Sequence, residues 1–132
     1  MNTVLIEVRL RSLETRQHRD AGETLFREGA APDGVYILYS GAVDLLFAAR
    51  NGIVKPLRVA TPGQILGLSE VVVEQPYDCS AITRVPCDVG FIPREEFLSV
   101  LQERPAVWLN VLSLLSNDVN AVYDDMRALA VG

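Results

Sequence analysis

The sequence predicts a mainly β fold with C-terminal helices, an α+β arrangement in which short strands form a double-stranded β-helix, or jelly-roll barrel, and a long helix follows. Turn residues recur throughout Thr24–Phe91 at the spacing of roughly 8–12 residues that is typical of sandwiches and barrels. After Pro93 the pattern changes to helical periodicity. We therefore predict one domain over residues 1–132, with the barrel at about 15–93 and helices at about 94–130.

Two strands are predicted from alternating apolar positions. Every second residue of Val35–Tyr39 and of Val43–Phe47 is apolar, as in strands that bury one face. Ser40-Gly41 lies between the two segments and predicts a tight turn that joins them.

A hairpin is predicted at Asn51-Gly52. Both central residues of a type I′ turn need positive φ, which Asn and Gly tolerate best. This turn should link a strand at Leu45–Ala49 to a strand at Ile53–Ala60.

Two helices are predicted after the strands. Arg94–Leu98 opens a short helix, and Pro105 begins a second one that extends to about Ala130, because proline is favoured at the first position of a helix. Apolar residues of the second helix alternate between spacings of three and four, which is the a/d pattern of a two-stranded coiled coil. These residues are Leu112, Leu115, Val119, Val122, Met126 and Leu129. We expect a homodimer through this helix; the alternative is that the stripe packs on its own barrel.

Composition and charge narrow the classes of partner. Hydrophobic residues make up 49% of the chain, yet no apolar run approaches the ~20 residues of a membrane span. The formal net charge of −5 disfavours a nucleic-acid partner, because phosphate backbones are bound by clustered Lys and Arg. The predicted long helix extends nearly to Gly132, so we expect this chain to have no recognition helix for DNA. We expect a cytoplasmic protein that binds no membrane and, by itself, no nucleic acid.

Three segments occur in an order that is more specific than any one of them. They are AGETLFREG (Ala21–Gly29), DGVYILYSGAV (Asp33–Val43) and PGQILG (Pro62–Gly67). In this order they resemble the cyclic-nucleotide-binding domain family, and the best match is with the catabolite-activator and FNR-type bacterial regulators. The resemblance extends over Thr15–Asp118 and implies a sensor barrel that is not an enzyme.

The resemblance also implies a ligand pocket whose phosphate and ribose site is lined by Gly67, Leu68 and Ser69. In the family this glycine begins a short helical turn whose backbone N–H groups face the cyclic phosphate. Two positions depart from the family. Leu68 stands where cyclic-nucleotide binders have a Glu that holds the ribose 2′-hydroxyl, and Cys79 aligns with the Arg that pairs with the phosphate.

Other residues of the candidate pocket match the family or could compensate for these losses. Ser80 and Ala81 match the small residues that follow the family's Arg. Glu70 reaches a ribose only if the local helix shifts, and Arg84 is the nearby cation that could replace the phosphate partner. Because contacts to charged groups are worth ~1.5–3 kcal/mol each, losing both removes ~4 kcal/mol and turns micromolar affinity into roughly millimolar. No cofactor is therefore certain, and cyclic AMP or cyclic GMP is expected to bind weakly.

The remaining reactive residues form no catalytic or metal-binding arrangement. Cys79 and Cys87 lack C-x-x-C spacing and nearby histidines, so we predict two free, largely buried thiols. His18 is the one histidine; it cannot supply a cupin-type metal site, and a haem site formed with Cys79 has unmatched spacing. Within the family, the FNR-type branch likewise no longer binds a cyclic nucleotide. The cysteines that hold an iron–sulfur centre in that branch are missing from this sequence.

Two functional hypotheses follow. The first is a non-enzymatic small-molecule sensor whose degenerate pocket binds a cyclic nucleotide weakly or takes a different ligand. The second is a ligand-free dimerising module for protein interaction.

Overall fold

The computed structural model describes residues 13–103. In this part of the chain the strands are β1 (Thr15–Arg19), β2 (Thr24–Phe26), β3 (Gly34–Ser40), β4 (Val43–Ala48), β5 (Val54–Ala60), β6 (Ile65–Leu66), β7 (Ser80–Thr83) and β8 (Cys87–Pro93). The helices are α1 (Leu68–Val73) and α2 (Arg94–Glu103).

The described strands form two four-stranded antiparallel sheets. The first has the order β1-β8-β3-β6 and the second has the order β2-β7-β4-β5. Most neighbouring strands come from distant parts of the sequence, β4 and β5 being the exception, so the arrangement is a jelly roll and the predicted mainly β fold class is confirmed. Strand predictions at Val35–Tyr39 and Val43–Phe47 are confirmed by β3 and β4.

The turn at Ser40-Gly41 carries the chain from one sheet to the other, because β3 and β4 do not pair. Gly41 has φ +97°, and a Cβ at this position would lie 2.5 Å from Cys87 Sγ. Only glycine fits here without moving the core.

The predicted hairpin at Asn51-Gly52 is confirmed, but its turn type is not I′. Gly52 has φ +83°, whereas Asn51 does not have positive φ. The Gly52 N–H donates to Ala49 O at 2.9 Å, and the Ala49 N–H donates to Ile53 O at 2.9 Å. A type I turn followed by one glycine in the left-handed region is compatible with the strand twist and needs only one positive φ. Asn51 therefore does not adopt a left-handed conformation.

Two hydrophobic clusters hold the described part together. The inner cluster lies between the sheets and includes Leu38, Val43, Tyr77 and Ala81. The outer cluster packs α1 and α2 against the other face of the first sheet. Its buried members are Val35, Ile37, Leu68, Val71, Ile92, Phe97, Val100 and Leu101.

The short helix predicted at Arg94–Leu98 is confirmed by α2. Both cysteines are free and buried, also as predicted. The long helix predicted from about Pro105 lies outside the described residues. So do its six a/d positions, Leu112, Leu115, Val119, Val122, Met126 and Leu129, and the dimer stays a prediction.

Candidate functional site

A cleft opens between α1, the edge strand β5 and the segment that leads into β7. We call it the α1–β5 cleft. Its apolar lining consists of Phe26, Leu45, Leu57, Ile65, Leu66, Gly67 and Cys79. Its polar lining consists of Arg58, Ser69, Glu70 and Asp78. An apolar cleft with a few convergent polar groups has the composition expected of a small-molecule site.

Close packing fixes the α1 side of this cleft. Gly67 precedes α1 with φ +82°, so the predicted short helical turn after this glycine is confirmed. A Cβ on Gly67 would lie 2.8 Å from Tyr77 Cε1. The Tyr77 ring in turn stacks on Phe26 with centroids 4.1 Å apart.

The Tyr77 hydroxyl fastens this packing to the start of β3. It lies 2.8 Å from Asp33 Oδ1 and 2.6 Å from the Gly34 carbonyl oxygen, and it accepts from the Gly34 N–H at 3.2 Å. Burial raises the pKa of Tyr77 far above its ordinary value, so the phenol stays protonated. The α1 side of the cleft is therefore tied to the core by both stacking and hydrogen bonds.

Glu70 is a buried acid that joins α1 to the segment before β7. Its side chain accepts a hydrogen bond from Ser69 Oγ at 2.8 Å and another from the Asp78 N–H at 3.1 Å. Each carboxylate oxygen offers two lone pairs, so these bonds leave acceptor capacity on both oxygens. Burial raises the pKa of the Asp78 carboxyl, and the nearby carboxylates of Glu70 and Glu28 raise it further. This side of the cleft is acidic.

The structure brings together four of the seven residues predicted for the pocket. Gly67, Ser69, Glu70 and Cys79 line the cleft.

The other three predicted residues do not line the cleft. The Leu68 side chain is 2% exposed and packs in the outer cluster, on the opposite side of α1 from Ser69 and Glu70. Ser80 Oγ accepts a hydrogen bond from the Glu28 N–H at 2.9 Å. Ala81 is buried in the inner cluster.

Arg84 lies outside the lining of the cleft. Its guanidinium pairs with Asp44, with Nη2 to Oδ1 at 2.8 Å, so its charge is matched on the neighbouring strand. The cation that does line the cleft is Arg58 of β5, which is not among the residues predicted from the sequence.

A β-bulge explains how Arg58 reaches the cleft. Arg58 pairs with Leu45 of β4, but the next pair along the ladder joins Leu46 to Pro56, so Leu57 is an extra residue on β5. Leu57 and Arg58 both line the cleft although they are adjacent. In a regular strand they would point to opposite faces. Pro56 was the available sequence signal, because proline within a strand marks an edge or a bulge.

The described residues hold no cluster of three or more His, Cys, Asp and Glu side chains that could bind a metal ion. His18 is exposed on β1, where Nδ1 lies 3.1 Å from Asp88 Oδ1. Cys79 lines the cleft and directly precedes β7 of the second sheet, whereas His18 lies on β1 of the first sheet. No helix in the described range is long and apolar enough to span a membrane.

Comparison with known proteins gives relatives of the same fold. The crystal structure of the Thermus thermophilus catabolite activator protein matches with a TM-score of 0.79 and 20% identity, covering 96% of this chain and 62% of that chain. The regulator CLP of Xanthomonas campestris, described as responsive to c-di-GMP, matches with a TM-score of 0.80 and 17% identity, covering 93% of this chain and 60% of that chain. Both likenesses show the fold.

A curated relative matches over a small part of its own length. Lysophospholipase NTE1 of Kluyveromyces lactis is 26% identical over 107 residues, which are 76% of this chain and 7% of that enzyme. The similarity therefore concerns one domain of a much larger protein. The family model described as the cyclic nucleotide-binding domain matches residues 16–104. This chain belongs to the cyclic nucleotide-binding domain family.

Proposed function

We propose that this chain is a non-enzymatic regulatory domain that senses a small molecule in the α1–β5 cleft, with a phosphate and ribose site so altered that cyclic nucleotides bind weakly. Family membership supports the regulatory role. We further propose that residues 1–132 act as one cytoplasmic domain, without nucleic acid, and dimerise through the predicted C-terminal helix.

One observation carries the proposal of an altered site. Cys79, a neutral side chain, lines the cleft at the position where the family resemblance places the phosphate-binding Arg, and Glu70 and Asp78 line the cleft beside it. A cyclic phosphate at this wall would meet two carboxylates and no cation from β7, and like charges at close range repel. The c-di-GMP response described for CLP supports the idea that this fold accommodates ligands other than cyclic mononucleotides.

The proposal is tested by restoring the missing cation. We expect wild type to bind cyclic AMP more weakly than ~100 μM in calorimetric titration. Cys79→Arg should strengthen binding by at least about tenfold, the value of one charge-assisted contact. Cys79→Met is the matched control, because it adds length without charge. Leu68→Glu would not restore the ribose contact, because Leu68 is buried in the outer cluster.

Three results would contradict the proposal or redirect it. Low-micromolar binding by wild type would show that the site is not degenerate. Equal gains in Cys79→Arg and Cys79→Met would show that size, and not charge, limits binding. A folded Cys79→Arg variant that binds no cyclic nucleotide at millimolar concentration would favour the second function, a ligand-free dimerising module.

A further inference from the structure

We propose that Arg58 of β5 is the residue that holds the anionic group of the ligand, so that the ligand lies in the cleft with its anion against β5 and not against α1. This inference rests on the proposed function and deepens it. It names the class of ligand as an anion that also carries hydrogen-bond donors, such as hydroxyl or amino groups.

The backbone of β5 directs Arg58 into the cleft. The extra residue Leu57 shifts the ladder by one position, so Arg58 shares a face with its partner Leu45, which also lines the cleft. Bulges next to binding sites commonly re-aim a side chain in this way. The orientation of Arg58 is therefore set by the hydrogen-bonding register of the sheet.

The Arg58 guanidinium lies beside the turn between β5 and β6. Its Nε atom is shielded from solvent, and Nη1 donates to Gln64 Oε1 at 3.4 Å. Gln64 Oε1 also accepts from the Thr61 N–H at 3.0 Å, and the Gln64 carbonyl accepts from the Leu38 N–H at 3.0 Å. The turn between β5 and β6 thus holds the acceptor that positions the guanidinium. Holding it in place lowers the entropy that ligand binding must remove.

Charge decides which end of the ligand meets which wall. The charged groups that line the cleft are Arg58, Glu70 and Asp78. Glu70 and Asp78 occupy the α1 and β7 side, where a second anion would add to their mutual repulsion. An anion is therefore accepted best beside Arg58. Glu70 lines the cleft and keeps spare acceptor capacity, so the opposite end of the ligand should carry hydroxyl or amino donors.

The test compares the binding of cyclic AMP, which carries a phosphate anion, with that of adenosine, which has none. Both affinities are measured by calorimetric titration up to about 10 mM. If Arg58 holds the anion, wild type binds cyclic AMP more tightly than adenosine. Arg58→Ala should then weaken the affinity for cyclic AMP about tenfold or more and change the affinity for adenosine little. Arg58→Lys should recover part of the preference, because it keeps the charge and loses the fork geometry. Arg84→Ala is the matched control, since Arg84 pairs with Asp44 outside the cleft.

The ratio of the two affinities separates anion recognition from structural damage. If Arg58→Ala lowers the affinity for both probes equally, or for neither, the role of Arg58 is overturned and the proposed function stands. If wild type binds neither probe but Cys79→Arg binds cyclic AMP, the cleft is a ligand site and Arg58 alone cannot hold the anion, which also overturns the inference. If neither protein binds either probe, the proposed function itself fails.

Discussion

The two walls of the α1–β5 cleft are built in different ways. On the α1 wall, Gly67 lies against the Tyr77 ring, and Leu68 is sealed in the outer cluster. On the opposite wall, β5 is an edge strand with mostly exposed or half-exposed side chains and a bulge in its ladder. The first wall is fixed by packing, and the second is set by a local break in strand pairing. The two sides of the candidate site thus depend on different physical constraints.

The largest expected effect tests the packed wall at Leu68. We expect Leu68→Glu to lower the free energy of unfolding by about 3 kcal/mol or more, because a carboxylate would be buried in an apolar cluster without a partner. Leu68→Met should cost less than about 1.5 kcal/mol, since it conserves volume and polarity. Urea denaturation followed by circular dichroism measures both.

A small loss of stability in Leu68→Glu would contradict a packed α1 wall. If Leu68→Glu unfolds at the same urea concentration as wild type, the side chain faces the cleft and not the outer cluster. The introduced carboxylate would then lie where the family resemblance places the ribose-binding Glu, and packing would not fix the α1 wall at this position.

A second, intermediate effect separates close packing from backbone conformation. Gly67 and Gly52 have nearly the same φ, +82° and +83°, but a Cβ on Gly52 would meet nothing within 4 Å. Gly52→Ala should therefore cost only the left-handed conformation, about 1–2 kcal/mol. Gly67→Ala adds displacement of the Tyr77 ring and should cost about 1 kcal/mol more. Equal losses for the two variants, measured by thermal unfolding, would show that the Tyr77 ring yields freely.

The difference between the two walls also explains which features could be predicted from the sequence. The strands β3 and β4 were predicted from residue patterns, because packed strands and the turns between them leave patterns that depend on local conformation. The helical turn after Gly67 was implied by the family resemblance. Arg58 was missed because its direction depends on the register of β4 and β5, of which Pro56 gives only a hint.

Two site predictions show a second limit of the sequence. Alignment with the family gave Leu68 its position but not its direction, and the first turn of α1 turns Ser69 and Glu70 to the cleft instead. Arg84 was a reasonable substitute cation by its distance along the chain. Its pairing with Asp44 is a contact between residues 40 positions apart, which spacing alone does not reveal.

The smallest expected effect compares an acid of the cleft with an acid of the outer surface by pH dependence. Burial, and then the carboxylates of Glu70 and Glu28, raise the pKa of Asp78. Hydrogen bonds with His18 and Ser40 lower the pKa of Asp88. A raised carboxyl pKa means that the ionised group destabilises the fold, and that this cost disappears as pH falls through the folded-state pKa. A lowered pKa means that ionisation stabilises the fold, and that this gain is lost as pH falls.

The two asparagine variants should therefore shift the unfolding midpoint in opposite directions at pH 7. Asp78→Asn removes an unfavourable charge and should raise the midpoint, whereas Asp88→Asn removes a favourable one and should lower it. Both differences from wild type should shrink toward the pH at which the carboxyls are protonated in folded and unfolded chains alike, below about 3.9. Thermal unfolding between pH 3 and pH 8 measures them. If Asp78→Asn lowers the midpoint at pH 7, the Asp78 carboxylate has a stabilising partner. The α1 and β7 wall then does not repel anions, although a ligand with its anion against β5 requires that repulsion.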